Sequence, residues 1–365
     1  MRVFFYVQHL LGIGHLKRAA TLAGALRRAG FDVTLASGGA PVDGIPVLQL
    51  PSASSPDFKQ LLDEDGNAVD DAWKTRRRDA LLDAFQRTSP GVLLIELFPF
   101  GRRQMRFELL PLLESAHRQD PKPLVVCSVR DLIQPNPARE NERLELFDRY
   151  FDHLLVHGDP AIAIFERSFG RAAGLAGKLH YTGYVVDEVP LRSEVGKDEV
   201  LVSAGGGAVG RHLLETAIQA RPLTGLRDRT WRILAGSNSA QFERLASQAS
   251  QDVIVERARN DFTLRLRNCV LSVSQAGYNT VLETLQAGAK AVLVPFAGGG
   301  ESEQTLRARL LAERGLVHVV EEDVLTAATL AAAVDRAAAG PRPAPGAVDL
   351  GGARRSAELL RQWVT

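Results

Sequence analysis

MRVFFYVQHLLGIGHLKRAATLAGALRRAG, residues 1–30, is the stretch from which the rest of the chain can be read. Val3, Phe4, Phe5, Tyr6 and Val7 form a short apolar run followed by Gln8, His9 and a glycine loop, not by a small-residue cleavage site, so the run predicts a buried first strand and not a signal peptide. Gly12 and Gly14 then allow a tight turn. Leu16, Ala19, Ala20, Ala23 and Leu26 recur at helical spacing on one face, and Gly30 closes the pattern as a C-terminal glycine. Strand, glycine turn and amphipathic helix form the first unit of a doubly wound α/β sheet.

Working outward, runs rich in Val, Leu and Ile recur at residues 92–95, 124–127, 154–156, 200–202, 253–255, 270–273 and 291–294, separated by helical patterns. They predict parallel strands buried on both faces. Residues 185–197, VVDEVPLRSEVGK, break the alternation with a proline and no clear period, and read as a linker. Beyond them the opening is repeated: a strand at Val200, then Gly205-Gly206-Gly207, then a helix. The expected architecture is therefore two Rossmann-like, doubly wound domains facing a central cleft. They span residues 1–184 and 198–350, and residues 351–365 form a closing helix. Ligands of such sheets bind at the carboxyl ends of the strands.

The composition is consistent with this. The 365 residues suit two domains at about 150 residues each. With 45% hydrophobic and 24% charged residues the chain is neither disordered nor of low complexity. Lys+Arg 44 against Asp+Glu 43 leaves a net charge of +1, without the basic field that nucleic-acid binding needs, so nucleic acid is not an expected partner. Cys127 and Cys269 lie far apart in apolar runs, which suits a reducing, cytoplasmic compartment. No run reaches the roughly 18 apolar residues of a membrane span. Asp63-Glu64-Asp65 precedes Gly66-Asn67 and reads as a surface turn; the eight histidines show no zinc-like spacing. Neither a catalytic metal nor a cofactor is expected.

The chemistry is concentrated in Ser274-Gln275-Ala276-Gly277-Tyr278-Asn279-Thr280-Val281-Leu282-Glu283, which follows a strand and continues to Glu301, Glu303 and Gln304. Gly277 permits close backbone approach, Asn279 or Thr280 can cap the following helix, and the helix N-terminus offers free N–H groups to a phosphate. Glu283, a turn further on, can accept hydrogen bonds from vicinal hydroxyls such as those of a ribose. Glu303 and Gln304 open another helix and can hold sugar hydroxyls.

Residues 274–308 resemble the donor-binding signature of GT-B glycosyltransferases, both the plant-type family 1 enzymes and the peptidoglycan N-acetylglucosaminyltransferase of family 28. Over its whole length the chain is more loosely similar to bacterial predicted glycosyltransferases related to family 28. The family 1 pattern His-Cys-Gly-Trp-Asn-Ser followed by Glu falls on Gln275, Ala276, Gly277, Tyr278, Asn279, Thr280 and Glu283. The resemblance implies that Asn279 and Thr280 contact a diphosphate, Glu283 the ribose, and Glu303 with Gln304 the donor sugar. It implies an inverting transfer from a nucleotide sugar, most simply a UDP-sugar, to an acceptor hydroxyl. Two positions depart from the families. Gln275 replaces the phosphate-touching histidine, and Asp187 stands where the family 28 pattern Thr-Gly-Asn-Pro-Val-Arg ends in arginine. The diphosphate would then be met by helix N-termini and by Gly205, Gly206 and Gly207, with Gly14 counted among the nucleotide-sugar contacts and Arg211 or Arg259 as added cations.

Gly12-Ile13-Gly14-His15-Leu16 also resembles the acceptor-side loop of family 1, where the histidine is the general base; a reference pKa close to neutral suits histidine to that role. A carboxylate should orient it. Glu96, at the end of the run 92–95, is the candidate, with Asp131 in reserve. Residues 98–107 and 73–78 mix aromatics with arginines, a composition that favours an anionic lipid surface. Since the family 28 relative uses a lipid-linked acceptor, such an acceptor and a weak peripheral contact at the inner face of the cell membrane are among the expected partners. The same fold also hosts nucleotide-sugar hydrolases, epimerases and non-catalytic nucleotide-sugar-binding subunits, which remain the alternatives. An NAD-dependent dehydrogenase is set aside, because neither glycine loop carries the full dinucleotide fingerprint.

Overall fold

The computed structural model describes residues 1–10, 12–56, 59–187, 193–204, 210–236, 239–259, 261–296, 298 and 302–364. The chain divides into two compact units, Met1–Val185 with Asp349–Thr365, and Val186–Val348.

In chain order the first unit contains β1 (Arg2–Val7), α1 (Gly14–Arg28), β2 (Asp32–Ser37), β3 (Leu48–Gln49), α2 (Asp71–Thr88), β4 (Val92–Glu96), α3 (Arg106–Arg118), β5 (Leu124–Arg130), α4 (Glu140–Tyr150), β6 (His153–His157) and β7 (Leu179–Tyr181). The second contains β8 (Glu199–Ser203), α5 (Arg211–Ala220), β9 (Thr230–Ala235), α6 (Ser239–Ala246), β10 (Val253–Arg257), α7 (Phe262–Asn268), β11 (Leu271–Gln275), α8 (Tyr278–Ala287), β12 (Ala291–Val294), α9 (Glu303–Glu313), β13 (His318–Val319) and α10 (Ala327–Ala339). The final helix, α11 (Gly352–Val364), is counted with the first unit.

Both sheets are parallel, in the orders β3-β2-β1-β4-β5-β6-β7 and β10-β9-β8-β11-β12-β13. In each, the first strand of the unit has its successor on one side and a later strand on the other. The strand order therefore reverses at β1/β4 and at β8/β11, the two topological switch points.

Strand alternation divides the core between the two faces of each sheet. From β1, Phe4 and Tyr6 pack with Trp73, Leu81 and Phe85 of α2, whereas Val3, Phe5 and Val7 pack with Leu16, Ala19 and Leu22 of α1 and Leu359 and Leu360 of α11. Burying each such large side chain contributes about 1.5–3 kcal/mol. From β8, Val200 and Val202 meet Leu213 and Leu214 of α5 and Leu330 of α10, while Leu201 meets Leu266 on the other face. Gly30 ends α1 with φ +88°, a conformation that a side chain resists.

Five strands, β2, β3, β7, β9 and β13, are not among the apolar runs of the sequence. β9 carries Arg232 in mid-strand, paired with Glu199 and Glu256, so a charged residue interrupts the run without breaking the strand. Of the expected linker, residues 188–192 lie outside the described residues; the part from 193 on is counted with the second unit, where Asn268 Nδ2 donates to the carbonyls of Ser193 and Val195.

Candidate functional site

At the first switch point β4 ends in Glu96, and the glycine turn after β1 leads into α1 with His15 as its second residue. His15 Nδ1 lies 2.7 Å from Glu96 Oε1. Arg18, one turn along α1 on the same face, donates to the same oxygen. Glu96 is 1% exposed, Arg18 4% and His15 18% in their side chains, so the imidazole is the member of the trio that solvent reaches.

Burial pushes the His15 pKa down to about 3, with Glu96 opposing and Arg102 and Arg18 reinforcing the fall. Burial acts to raise Glu96, but His15, Arg18 and Arg102 outweigh it and hold the carboxyl at about 2. At neutral pH an ionised Glu96 can only accept, so His15 Nδ1 carries the hydrogen and the Nε2 lone pair is left for a proton. That is the arrangement of a neutral general base. Of the two candidate carboxylates the one His15 touches is Glu96; Asp131 accepts from the Leu132 amide at 2.8 Å and from the Tyr184 hydroxyl at 3.1 Å. Nearby, His157 is fully buried between Ser128 Oγ (2.8 Å) and Thr182 Oγ1 (2.9 Å), its pKa lowered by burial to about 3.

A second buried group supports this edge and has no motif to announce it. Arg77 on α2 pairs with Glu108 on α3 at 2.8 Å, both fully buried. The guanidinium also donates to Gln8 Oε1 (2.7 Å) and to the carbonyls of Gly38 (3.0 Å) and Pro51, tying together the loops that follow β1, β2 and β3. A Cβ on Gly38 would lie 1.8 Å from Arg77 Nη2, so the clamp needs glycine there. The available signal was an arginine standing in a helical stripe of core residues, Trp73, Arg77 and Leu81.

At the second switch point β11 ends in Gln275, and Gly277 is the N-cap of α8 (φ −61°, ψ 143°) with no side-chain cap. Asn279 and Thr280 are the second and third helical residues, so neither caps the helix. This corrects the expectation: the backbone bends into the helix two residues earlier, and the N-cap is a glycine with no side chain to offer the first N–H groups of α8. Gly210, at φ +106°, shows how closely the end of the preceding glycine loop approaches. A Cβ there would sit 2.3 Å from Ala204 Cβ and 3.3 Å from Gln275 Oε1. Gly205, Gly206 and Gly207, and Glu301, lie outside the described residues.

Tyr278 is buried beneath the Arg307 guanidinium, 5.0 Å from the ring centre, which joins the start of α8 to α9. Glu283 is half-buried on α8, one turn beyond Asn279. Glu303 is the buried first residue of α9, and Gln304 Oε1 accepts the Phe296 amide at 3.2 Å. Arg259 is paired with Asp261 and Glu256, and Arg211 is the exposed first residue of α5.

The expected lipid-facing mixture is only half exposed. Trp73, Phe98 and Phe100 are core residues and Arg77 is the buried clamp, because Phe100 packs against Phe147, Phe165 and Phe169 and Trp73 against Phe107. Arg103, Arg106, Arg139 and Arg143 instead line a small concavity of about 40 Å³, whose one acidic lining residue, Glu142, is paired with Arg106. Asp63-Glu64-Asp65 is a turn in which Asp63 Oδ1 accepts the amides of Asp65 and Asn67. Among the described residues no three metal-ligating side chains cluster, and no helix is long and apolar enough to cross a membrane.

Residues 200–346 match the glycosyltransferase family 28 C-terminal domain. A UDP-N-acetylglucosamine–N-acetylmuramyl-(pentapeptide) pyrophosphoryl-undecaprenol N-acetylglucosamine transferase from Phenylobacterium zucineum is 29% identical over 178 residues, 47% of this chain and 48% of the relative, so the chain matches about half of that relative's length. Among solved structures, Acinetobacter baumannii MurG superposes with a TM-score of 0.62 at 15% identity, covering 99% of this chain and 100% of that one. The spinosyn rhamnosyltransferase SpnG, complexed with thymidine diphosphate, gives 0.65 at 17% identity with full coverage of both chains (100% and 100%). At such identities the likeness establishes the fold. The second unit therefore matches the glycosyltransferase family 28 C-terminal domain, within a chain that has the GT-B fold.

Proposed function

We propose that the protein is an inverting glycosyltransferase that moves a sugar from a nucleotide sugar, with UDP as the first candidate carrier, to an acceptor hydroxyl. The observation that carries this reading is the neutral His15 held by Glu96 at a switch point, in a chain whose second unit matches the family 28 C-terminal domain. In the proposed reaction Nε2 takes the proton of the acceptor hydroxyl as its oxygen attacks the anomeric carbon. The bond from that carbon to the diphosphate breaks, and the nucleoside diphosphate leaves with the electron pair. The N–H groups at the start of α8, with Gln275, Gly277, Asn279 and Thr280, would meet the diphosphate charge. Glu283 would hold the ribose, and Glu303 and Gln304 the sugar.

A lipid-linked acceptor, used at the inner face of the cell membrane by a cytoplasmic protein, is the form we favour. It is supported by the name of the Phenylobacterium relative, whose acceptor is a pyrophosphoryl-undecaprenol, and by the arginine-lined concavity beside α4. Calorimetric titration of UDP, dTDP and GDP, followed by turnover of the matching nucleotide sugars with and without a bacterial lipid extract, tests the proposal. Acceptor-dependent release of the diphosphate is expected. Rapid release without acceptor would make the protein a hydrolase, and absence of nucleotide binding would leave only the fold.

A further inference from the structure

We propose that Arg18 is a positioning residue for His15: it shares the Oε1 atom of Glu96 with the imidazole and so keeps Nδ1–H on the carboxylate and Nε2 open to an acceptor hydroxyl. The inference rests on the reading of His15 as the base.

Two donors converge on one carboxylate oxygen, and both come from the same face of α1, three residues apart, so the helix backbone fixes their relation. Arg18 is buried among Leu16, Ala19 and Leu22, a position where an apolar side chain would cost less. The charge of a buried Glu96 must be compensated. With Arg18 present the compensation is a permanent cation, and the imidazole can stay neutral. With Arg18 removed the nearest available compensation is a proton on His15, and a base that is already protonated cannot accept the acceptor's proton. The other charged and titratable groups around the pair include Arg102 on the loop after β4, the Cys127 thiol on β5, Arg130 at the end of β5 and His157 at the end of β6. Arg18, among these, is the one in hydrogen-bond contact with the Glu96 oxygen that His15 uses.

The test compares wild type with Arg18→Met, Arg18→Gln and Arg18→Lys. The His15 ring is followed by NMR titration, its signals assigned by their loss in His15→Gln. In wild type the ring should stay neutral down to the acid edge of the folded range. In Arg18→Met and Arg18→Gln its titration should move upward by about one pH unit or more, a tenfold change in protonation. The acid limb of kcat/KM should move by the same amount, with the KM for the nucleotide sugar unchanged. Arg18→Lys, which restores a cation, should return both. Should Arg18→Met fail to fold, Arg18→Gln and Arg18→Lys carry the comparison, since they keep polarity or charge at the site. A folded variant whose His15 titration and acid limb stay where they were, whatever its rate, overturns the inference and leaves the base reading intact. Unchanged turnover in His15→Ala instead overturns the base reading on which the inference rests.

Discussion

The two switch points of this molecule are built from different materials. At β1/β4 the edge is made of polar and charged side chains gathered on buried carboxylates: neutral His15 and Arg18 on Glu96, and Arg77 on Glu108 behind them. At β8/β11 it is made of backbone: a glycine N-cap, a helix start without a side-chain cap, and a Gly210 approach that leaves no room for a Cβ. Under the proposed function the difference follows from what each edge would do. Removing a proton needs a group whose charge state is set in advance, which burial and ion pairing provide. Holding a diphosphate needs several donors that do not titrate, and a helix N-terminus supplies these at any pH.

If that contrast holds, damage at the first edge should cost rate and damage at the second should cost affinity. The largest effect is expected for His15→Ala. Loss of the general base should lower kcat by about 10²- to 10⁴-fold while the Kd for UDP, measured by calorimetry, stays within error. A parallel loss of UDP affinity would mean that His15 also holds the nucleotide, and would break the comparison.

Next comes Arg77→Ala, which leaves Glu108 as an uncompensated buried charge and should cost the first unit about 3–5 kcal/mol. The three tryptophans separate the units in a denaturant titration, because Trp73 and Trp363 lie in the first and Trp231 in the second. A transition seen by Trp73→Phe/Trp363→Phe protein, which reports Trp231 alone, should be unmoved by Arg77→Ala.

Acid should show the same asymmetry. His15 and His157 are held neutral in the folded first unit, both at about 3 against an ordinary 6.5. Each therefore binds its proton more readily in the unfolded chain. The stability they contribute is fully present above pH 6.5 and is lost as pH falls toward 3, by up to about 1.4 kcal/mol per pH unit for each histidine. In the second unit His318 is lowered by partial burial and by Arg336. Denaturation midpoints measured from pH 7 to pH 4.5 should fall more steeply for the first unit, and His157→Asn should flatten that slope.

How much of this the sequence disclosed also differs between the edges. The backbone-built edge was legible because glycine, helix start and acidic residue keep fixed spacings along one short segment, from Gln275 to Glu283. The side-chain edge was legible only at its ends. His15 lies in a glycine loop and Glu96 ends an apolar run, which made Glu96 the candidate partner; choosing it over Asp131 needed the parallel strand order that brings residues 15 and 96 together. Arg18 and Arg77 were hidden for a related reason. Each occupies a core position of an amphipathic helix, where a charged residue reads as solvated until a buried carboxylate is found opposite. Phe98 and Phe100 misled in the opposite sense, since aromatics beside arginines look like a surface until the loop folds them inward.

The smallest effect expected is also the one that says most about the second edge. If Glu283 accepts hydrogen bonds from both hydroxyls of a ribose, Glu283→Ala should weaken UDP binding by about 1–3 kcal/mol, roughly 5- to 150-fold. The same group should make wild type prefer UDP to 2′-deoxy-UDP, since the deoxy sugar leaves one carboxylate contact unmade. In Glu283→Ala that preference should vanish, because there is no longer an acceptor for the second hydroxyl to satisfy. The cycle of two proteins and two nucleotides isolates the contact from any general loosening of α8, which would weaken both nucleotides alike. Equal binding of the two by wild type would mean that Glu283 meets at most one hydroxyl. The edge would then suit a deoxynucleotide carrier such as the thymidine diphosphate bound in SpnG. The backbone seat would keep its role in that case, and the choice of nucleotide would pass to residues beyond the α8 motif.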